Sequence, residues 1–346
     1  MSVIDSNRPA NITDVAARAG VSRAAVSKVI RNAYGVSPAM KERVETAIAE
    51  LGYRPSVAAR SLRGSSNTIG VELPRTGNPL FDQILDGAAE TLEGTPYQLI
   101  VAPASSDHGA GFRAIDALID RQVDGLLAIA PIGDSAWLEK IAQRVPTVML
   151  GRHDAAKNYD TVTNDDVAGA TAVMEHLFSL GHRHIAHVTV RPESTSPGSG
   201  SPHSMRLGVY ERMLRASGGE PQILYSADDR EQDFRDLVTS LLRSSHRPTA
   251  IFAGNDTIAL AALGAIQDCD LTTADVSVVG YDGIELASHP AFSLTTVDQS
   301  GVTMGKQSMS LLLERLEGRV EAAHFQVTPE LRIRRSTQPA KQQPQS

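Results

Sequence analysis

Apolar residues recur at three- and four-residue spacing through residues 11–52; from residue 68 onward short apolar runs alternate with amphipathic stretches. The first region predicts three helices. One runs from Asp14 to Ala19, with Thr13 as its expected N-cap and Gly20 as a left-handed turn after it. The next runs from Arg23 to Arg31 behind Ser22, with Ala25, Val26, Val29 and Ile30 on one face. The third starts at Ser37 and Pro38, carries the apolar stripe Met40, Val44, Ala47, Ile48 and Leu51, and ends at Gly52.

The second region predicts strands over Ile69–Pro74, Gln98–Pro103, Gly125–Ala130 and Thr147–Leu150. Helices are predicted between them over Pro79–Gly94, Phe112–Arg121 and Ala136–Arg144. A helix over Asp165–Leu180 precedes a second run of the same rhythm. Its strands are Ile185–Val190, Gln222–Tyr225, Ala250–Ala253 and Val276–Tyr281, and its helices Met205–Ser217, Gln232–Arg243 and Thr257–Gln267. A strand over Leu294–Val297, a helix over Val302–Glu317 and a strand over Phe325–Arg334 close the pattern. Alternation of this kind implies parallel sheets covered by helices on both faces, here in two doubly wound lobes.

Composition adds boundaries. The 346 residues suit a small head and two ordinary domains. No apolar run is long enough for a membrane span, and MSVIDSNRPA lacks the apolar core of a secretion signal. The single cysteine, Cys269, allows neither an intrachain disulfide nor a cysteine metal site, so a cytoplasmic protein is expected.

Charge changes the picture more. The chain has 33 Lys/Arg and 40 Asp/Glu, but 10 and 5 of these lie in residues 1–64, leaving 23 and 35 elsewhere. A head of net +5 on a body of net −12 concentrates attraction for phosphate at one end. On the second helix Arg23, Ala24, Ser27, Lys28 and Arg31 share the face opposite the apolar one. Small side chains let such a helix approach the major groove closely, while Arg and Lys reach guanine edges or phosphates. Thr13 and Ser22, at the helix starts, join this candidate DNA-binding set.

The runs IxDVAxxAGVS, VSKVIRN, VSPxxxxRVxxAIxELGYRP and AARSLRG follow one another without gaps, and the chain resembles the LacI/GalR family of bacterial transcription repressors. The resemblance covers residues 11 to 335 and is densest in the head. It implies a small all-α helix-turn-helix head on an α/β periplasmic-binding-protein-like body of two doubly wound parallel-sheet lobes. It also implies that Arg23 and Ala24 read operator bases. Lys28 stands where many relatives carry Arg, and Lys lacks the planar fork that reads guanine bidentately. Residues 55–67 correspond to a hinge that becomes helical on DNA, with Leu62 as the wedge inserted into the central base step. Ala59 would let paired hinges approach, and Arg60 and Arg63 would reach phosphate. The expected organisation is a head over residues 1–54, the hinge and linker, and a ligand-binding body over 68–335. The first lobe would take about 68–164 plus 298–335 and the second about 165–297. A disordered tail is expected over 336–346; without the leucine heptads of tetrameric relatives, it implies a homodimer.

In open α/β sheets ligands sit beyond the carboxyl ends of strands. Asn78 and Phe81 follow the first strand, Arg152 follows Leu150, Asn255 and Asp256 follow IFAG, and Asp282 ends VVGYD. Arg206 opens a helix after RPESTSPGSGSPHS, a loop expected to be a mobile lid, with no acidic partner nearby on its own helix. By resemblance Arg206, Asn255 and Asp282 would bind effector hydroxyls or a carboxylate, while Gly151 stands where many relatives carry Asp. Asn255 and Asp256 can instead cap a helix, and Asp282 can be a turn residue.

His182, His184 and His187 fall on a helix end and a strand, where they diverge, and read as structural. GVTMGKQS has three residues between its glycines and Gln307 after Lys306, which excludes a phosphate loop. No nucleophile, base and oxyanion set is visible. The expected protein is a non-enzymatic repressor without cofactor, controlled by a small metabolite, a sugar first. A nucleobase or amino-acid effector and a transport solute-binding protein are the alternatives.

Overall fold

The computed structural model describes residues 10–30, 33–53, 65–74, 77–104, 110–131, 133–196, 198–227 and 229–341. Contacts divide the chain into two compact units, Met1–Ser66 and Asn67–Ser346.

The first unit holds α1 (Ile12–Ala19), α2 (Arg23–Ile30) and α3 (Pro38–Leu51). The N-cap of α1 is Asn11, in place of the expected Thr13. Its Oδ1 accepts from the Thr13 and Asp14 amides while the Asp14 carboxylate accepts from the Asn11 amide, a reciprocal capping box that starts the helix early. Gly20 ends α1 at φ 64°, and Ser37 and Gly52 bracket α3. Val15, Val26 and Val44 are fully buried where the three helices meet. Each such side chain stabilises the unit by roughly 1.5–3 kcal/mol, so a charge at Val26 would open it.

The second unit runs β1 (Thr68–Leu73), α4 (Pro79–Leu92), β2 (Gln98–Pro103), α5 (Ala110–Asp120), β3 (Gly125–Ile129), α6 (Ser135–Ala142), β4 (Thr147–Leu150) and β5 (Asp160–Asn164). It continues through α7 (Asp166–Ser179), β6 (Ile185–Thr189), α8 (Pro192–Thr195), α9 (Pro202–Ala216), β7 (Gln222–Tyr225), α10 (Glu231–Arg243), β8 (Ala250–Ala253), α11 (Asp256–Asp268) and β9 (Ser277–Asp282). It closes with β10 (Thr295–Asp298), α12 (Gly301–Leu316), β11 (His324–Val327) and β12 (Glu330–Arg332). Among the described residues the strands form two six-stranded sheets, ordered β11-β5-β4-β3-β1-β2 and β12-β10-β9-β8-β6-β7. All pairings are parallel except β10 with β12. Each sheet carries a core on both faces, which is why its central strands are almost wholly buried.

In the first lobe α4 and α12 touch backbone to backbone at two glycines. A Cβ at Gly87 would overlap the Val302 carbonyl, and one at Gly305 the Ile84 carbonyl.

Four expectations change. The run Asp160–Asn164, left without an element by its polar sequence, is the buried strand β5; Asp160 is stabilised there by Arg315 from the last turn of α12 and by Arg319 just beyond it. The expected strand Phe325–Arg334 is two strands in different sheets: β11 completes the first lobe, but β12 pairs with β10 of the second. The 298–335 segment therefore completes the first lobe only as far as β11. The start of the expected disordered tail is also ordered. Ser336 exchanges backbone bonds with Val278 and Ser293, and Ala340 bonds Leu180. Main-chain pairing of this kind is indifferent to polar side chains. Arg191–Ser204 likewise holds a helical turn, a Ser201 cap on α9 and an Arg191–Asp229 ion pair at 2.9 Å.

Candidate nucleic-acid interface and ligand cavity

On α2, Val26 and Val29 face the core of the head while Arg23, Ala24 and Lys28 are exposed, with Ser27 half-buried beside them. Ser22 is exposed and its Oγ accepts from the Ala25 amide at 3.1 Å, fixing the start of the helix. Thr13 is exposed in the first turn of α1. A basic helix face with only Ala and Ser between its cations matches what groove docking requires. Arg31 and the hinge set Ala59, Arg60, Leu62 and Arg63 lie outside the described residues.

In the body a cavity of ≈ 720 Å³ opens beyond the carboxyl ends of β1 to β4 of one sheet and β6 to β8 of the other, the location that open α/β sheets favour. From the first lobe come Asn78, Phe81, Phe112 and Arg152; from the second come Arg191, His203, Phe234 and Asn255. The lobes also bond to each other directly. Asn78 Nδ2 donates to Asp282 Oδ2 at 3.0 Å, the His153 amide donates to the Gly200 carbonyl at 3.0 Å, and Gln83 reaches the Gly283 carbonyl at 3.4 Å.

The expected effector residues divide. Asn78, Phe81, Arg152 and Asn255 line the cavity. Arg152, however, commits all five of its N–H donors within the first lobe: to Asp154 twice, to the Pro131 and Gly133 carbonyls, and to Ser135. It builds the wall and has no donor left for a ligand. Asn255 Oδ1 caps α11 through the Ile258 amide, so its Nδ2 amide is what it can offer. Asp256 does not cap; its buried carboxylate accepts from Thr296 and from the Gly283 and Ile284 amides, shaping the turn after β9.

Arg206 and Asp282 sit behind the cavity wall. Arg206 is 3% exposed, pairs through Nε with Asp166 Oδ1 at 2.7 Å, donates to the Gly254 carbonyl at 2.8 Å, and stacks 3.6 Å over the Tyr281 ring. Its acidic partner exists after all, supplied from α7. Asp166 in turn meets His153 Nε2 at 2.8 Å. Burial works to raise the Asp166 pKa, but Arg206 and His153 override it and the net direction is down. Asp282, at φ 139°, is pushed up to about 7 by burial, against the pull of Arg206.

Sequence reasoning missed Glu72, His203, Phe112 and Asp166. Desolvation, then the Arg206 guanidinium, pushes the His203 imidazole down to about 3. Phe112 stacks edge-on to Trp137 with 4.3 Å between centroids. Glu72 had a visible signal, an acid inside the otherwise apolar run TIGVEL. His182 bonds Thr249 and the Gln338 carbonyl, and His187 lies in the core against Tyr210 and Phe252. Among the described residues no group of acidic, His or Cys side chains has the arrangement of a metal site, and no helix is long and apolar enough to cross a membrane.

Residues 11–56 match the family described as bacterial regulatory proteins, lacI family, and residues 174–337 a periplasmic binding protein-like domain. The ribose operon repressor of Escherichia coli (strain K12) is 31% identical over 335 residues, spanning 94% of this chain and 99% of that protein. Among solved structures, the lac repressor dimer bound to operator and the anti-inducer ONPF superposes with a TM-score of 0.77 at 28% identity, covering 96% of this chain and all of that one. A LacI family transcriptional regulator from Enterococcus faecium with bound ribose gives 0.69 at 25% identity, over 79% of this chain and all of that one. A DNA-reading head followed by a two-lobed ligand-binding body, matched in that order by relatives along nearly the whole length, means that the chain belongs to the lacI family of bacterial regulatory proteins.

Proposed function

We propose that this chain acts in the cytoplasm, as a homodimer and without enzymatic activity, as a repressor whose hold on a roughly palindromic operator is set by a small uncharged sugar in the cavity of the body. In the head, Arg23, Ala24 and Lys28 meet base edges, with Thr13, Ser22, Ser27 and Arg31 alongside. In the hinge, Ala59, Arg60, Leu62 and Arg63 enter the minor groove. In the body, Asn78 and Asn255 bond hydroxyls and Phe81 stacks on the ring. Arg206 and Asp282 position these groups rather than touch the ligand, and Arg152 holds the wall.

The observation that carries this reading is a cavity lined from both lobes by aromatic faces and side-chain amides, the pairing that suits a sugar's C–H face and hydroxyl rim. The test is selection of genomic fragments on the purified protein, followed by anisotropy titration of the best fragment with and without ribose, glucose and adenine. A salt-sensitive, sequence-selective complex whose affinity changes with a sugar is expected. Absence of any selected fragment, or a response to adenine alone, overturns it.

A further inference from the structure

Glu72 stands in β1 between Val71 and Leu73, which face the core under α4 and α12. Its own side chain emerges on the other face of the sheet, where Gly70 meets Leu118 of α5. There it lines the cavity in company with Ala104, Phe112 and Ala130. The residue is 1% exposed, and its Oε2 meets no hydrogen-bond partner among the described residues. A buried carboxyl oxygen left unpaired is destabilising in the free protein, and such a group is kept only where something else satisfies it. A ligand in the adjoining cavity is in position to do so.

The surrounding charge narrows what that ligand can be. Five carboxyl groups and three guanidinium groups belong to the described lining residues. Of the guanidinium groups, Arg152 is consumed by Asp154 and backbone carbonyls, and Arg191 pairs with Asp229. Among the other lining groups Asp134, Glu193 and Glu231 outnumber Arg230, so placing a phosphate or carboxylate among them is electrostatically unfavourable. Burial pushes the Glu72 carboxyl up to about 8. At neutral pH it therefore holds its proton, and can donate to one hydroxyl oxygen and accept from another.

We propose that Glu72 is the specificity-determining residue of the effector site, bonding a hydroxyl of an uncharged polyol through Oε2, in a cavity whose other acids exclude the phosphorylated and carboxylated forms of the same sugar. This rests on the sugar-effector reading above and adds the residue and the charge class.

The test compares wild type, Glu72→Gln and Glu72→Leu by thermal shift and calorimetric titration against ribose, ribose 5-phosphate, glucose and gluconate. Wild type should bind ribose or glucose and ignore the matching anion. Glu72→Gln, which keeps a donor and an acceptor in the same place, should bind within a few-fold of wild type. Glu72→Leu should bind about tenfold or more weakly, the loss expected for one hydrogen bond in a buried site. Its melting temperature without ligand should equal or exceed that of wild type, because the unsatisfied carboxyl is gone; this also shows that it folds. If both wild type and Glu72→Leu bind the neutral sugar equally, the role of Glu72 is overturned while the sugar-effector reading stands. If wild type binds the anion more tightly than the neutral form, the charge class is overturned, a result that needs no variant. If wild type binds none of the four, the sugar-effector reading itself falls and takes this inference with it.

Discussion

Replacing Arg206 by Met should destabilise the protein far more than an ordinary side-chain change. The guanidinium is 3% exposed and its Nε is 2.7 Å from Asp166, which is itself fully buried. Removing it leaves a buried carboxylate still bonded by His153 Nε2 at 2.8 Å but without its guanidinium. Breaking one side of a buried pair costs about 3–5 kcal/mol, because the orphaned charge has lost its water without keeping its partner. For a body of this size each kcal/mol moves the melting temperature by about 2–4 °C, so a fall on the order of 10 °C is expected. Adding Asp166→Asn should recover part of it, giving a coupling energy of about 2 kcal/mol or more in a double-mutant cycle on the full chain. The pH dependence gives a second reading. In wild type the Asp166 pKa is lowered, so its contribution is present above the ordinary carboxylate value and is lost as pH falls through the folded value. Without Arg206 the burial that works to raise it is unopposed by that charge; the ionised form then destabilises the fold at neutral pH, and protonation relieves the penalty. The gap between wild type and Arg206→Met should therefore narrow from pH 7 to pH 5. A variant melting within 2–3 °C of wild type, or a gap that ignores pH, would refute the reasoning.

Three further outcomes follow from other contacts. Gly305→Ala should lower stability by about 2–3 kcal/mol through overlap with the Ile84 carbonyl; a rise in melting temperature, which the helix propensity of Ala alone would give, would show that the α4–α12 contact yields easily. Arg23→Ala should weaken operator binding by about 1–3 kcal/mol and relax base preference at one position; an unchanged consensus in a binding-site selection would remove it from the base-reading set. Asp282 and Asp256 are both pushed up by burial, to about 7 and about 6, so their ionised forms destabilise the fold. Stability should fall as pH rises from about 4 toward 7, and Asp282→Asn should flatten that slope; identical slopes in urea melts at pH 4.5 and 7.5 would contradict the assignment.

How much of this was readable from the chain depends on the range of the interactions. The three head helices, with Val26 and Val29 inward and Arg23, Ala24 and Lys28 outward, are set by local spacing and caps. Even there the cap differs from the expected Thr13, because the Asn11–Asp14 pair satisfies three backbone amides where Thr13 would satisfy one. Strand β5 was invisible because DTVTN is polar, and the cations that make Asp160 tolerable in a sheet come from Arg315 and Arg319, more than 150 residues away. The Arg206 partner was hidden for the same reason, 40 residues off on α7. Glu72 was readable in principle, since an acid in a buried parallel strand breaks the expected pattern, but only the cavity beside it gives the exception a purpose.

The magnitudes also decide how little movement ligand control requires. A ligand shifts the arrangement of two lobes only by the difference in its affinity for the alternatives, and coupling between sites is typically about 1–3 kcal/mol. One hydrogen bond is worth about 0.5–1.5 kcal/mol, and one to a charged group about 1.5–3 kcal/mol, the same range. The lobes here are joined by bonds of that kind, Asn78 to Asp282 and His153 to Asp166, and Asn78 also lines the cavity. Asn78 Nδ2 carries two N–H donors; a sugar hydroxyl that displaces Asp282 from the one it now uses leaves Asp282 with Gln299 and without its Asn78 bond to the other lobe. A difference of that size is within reach of one exchanged bond, so control of the lobe arrangement can rest on a change of partner at Asn78 without repacking either core.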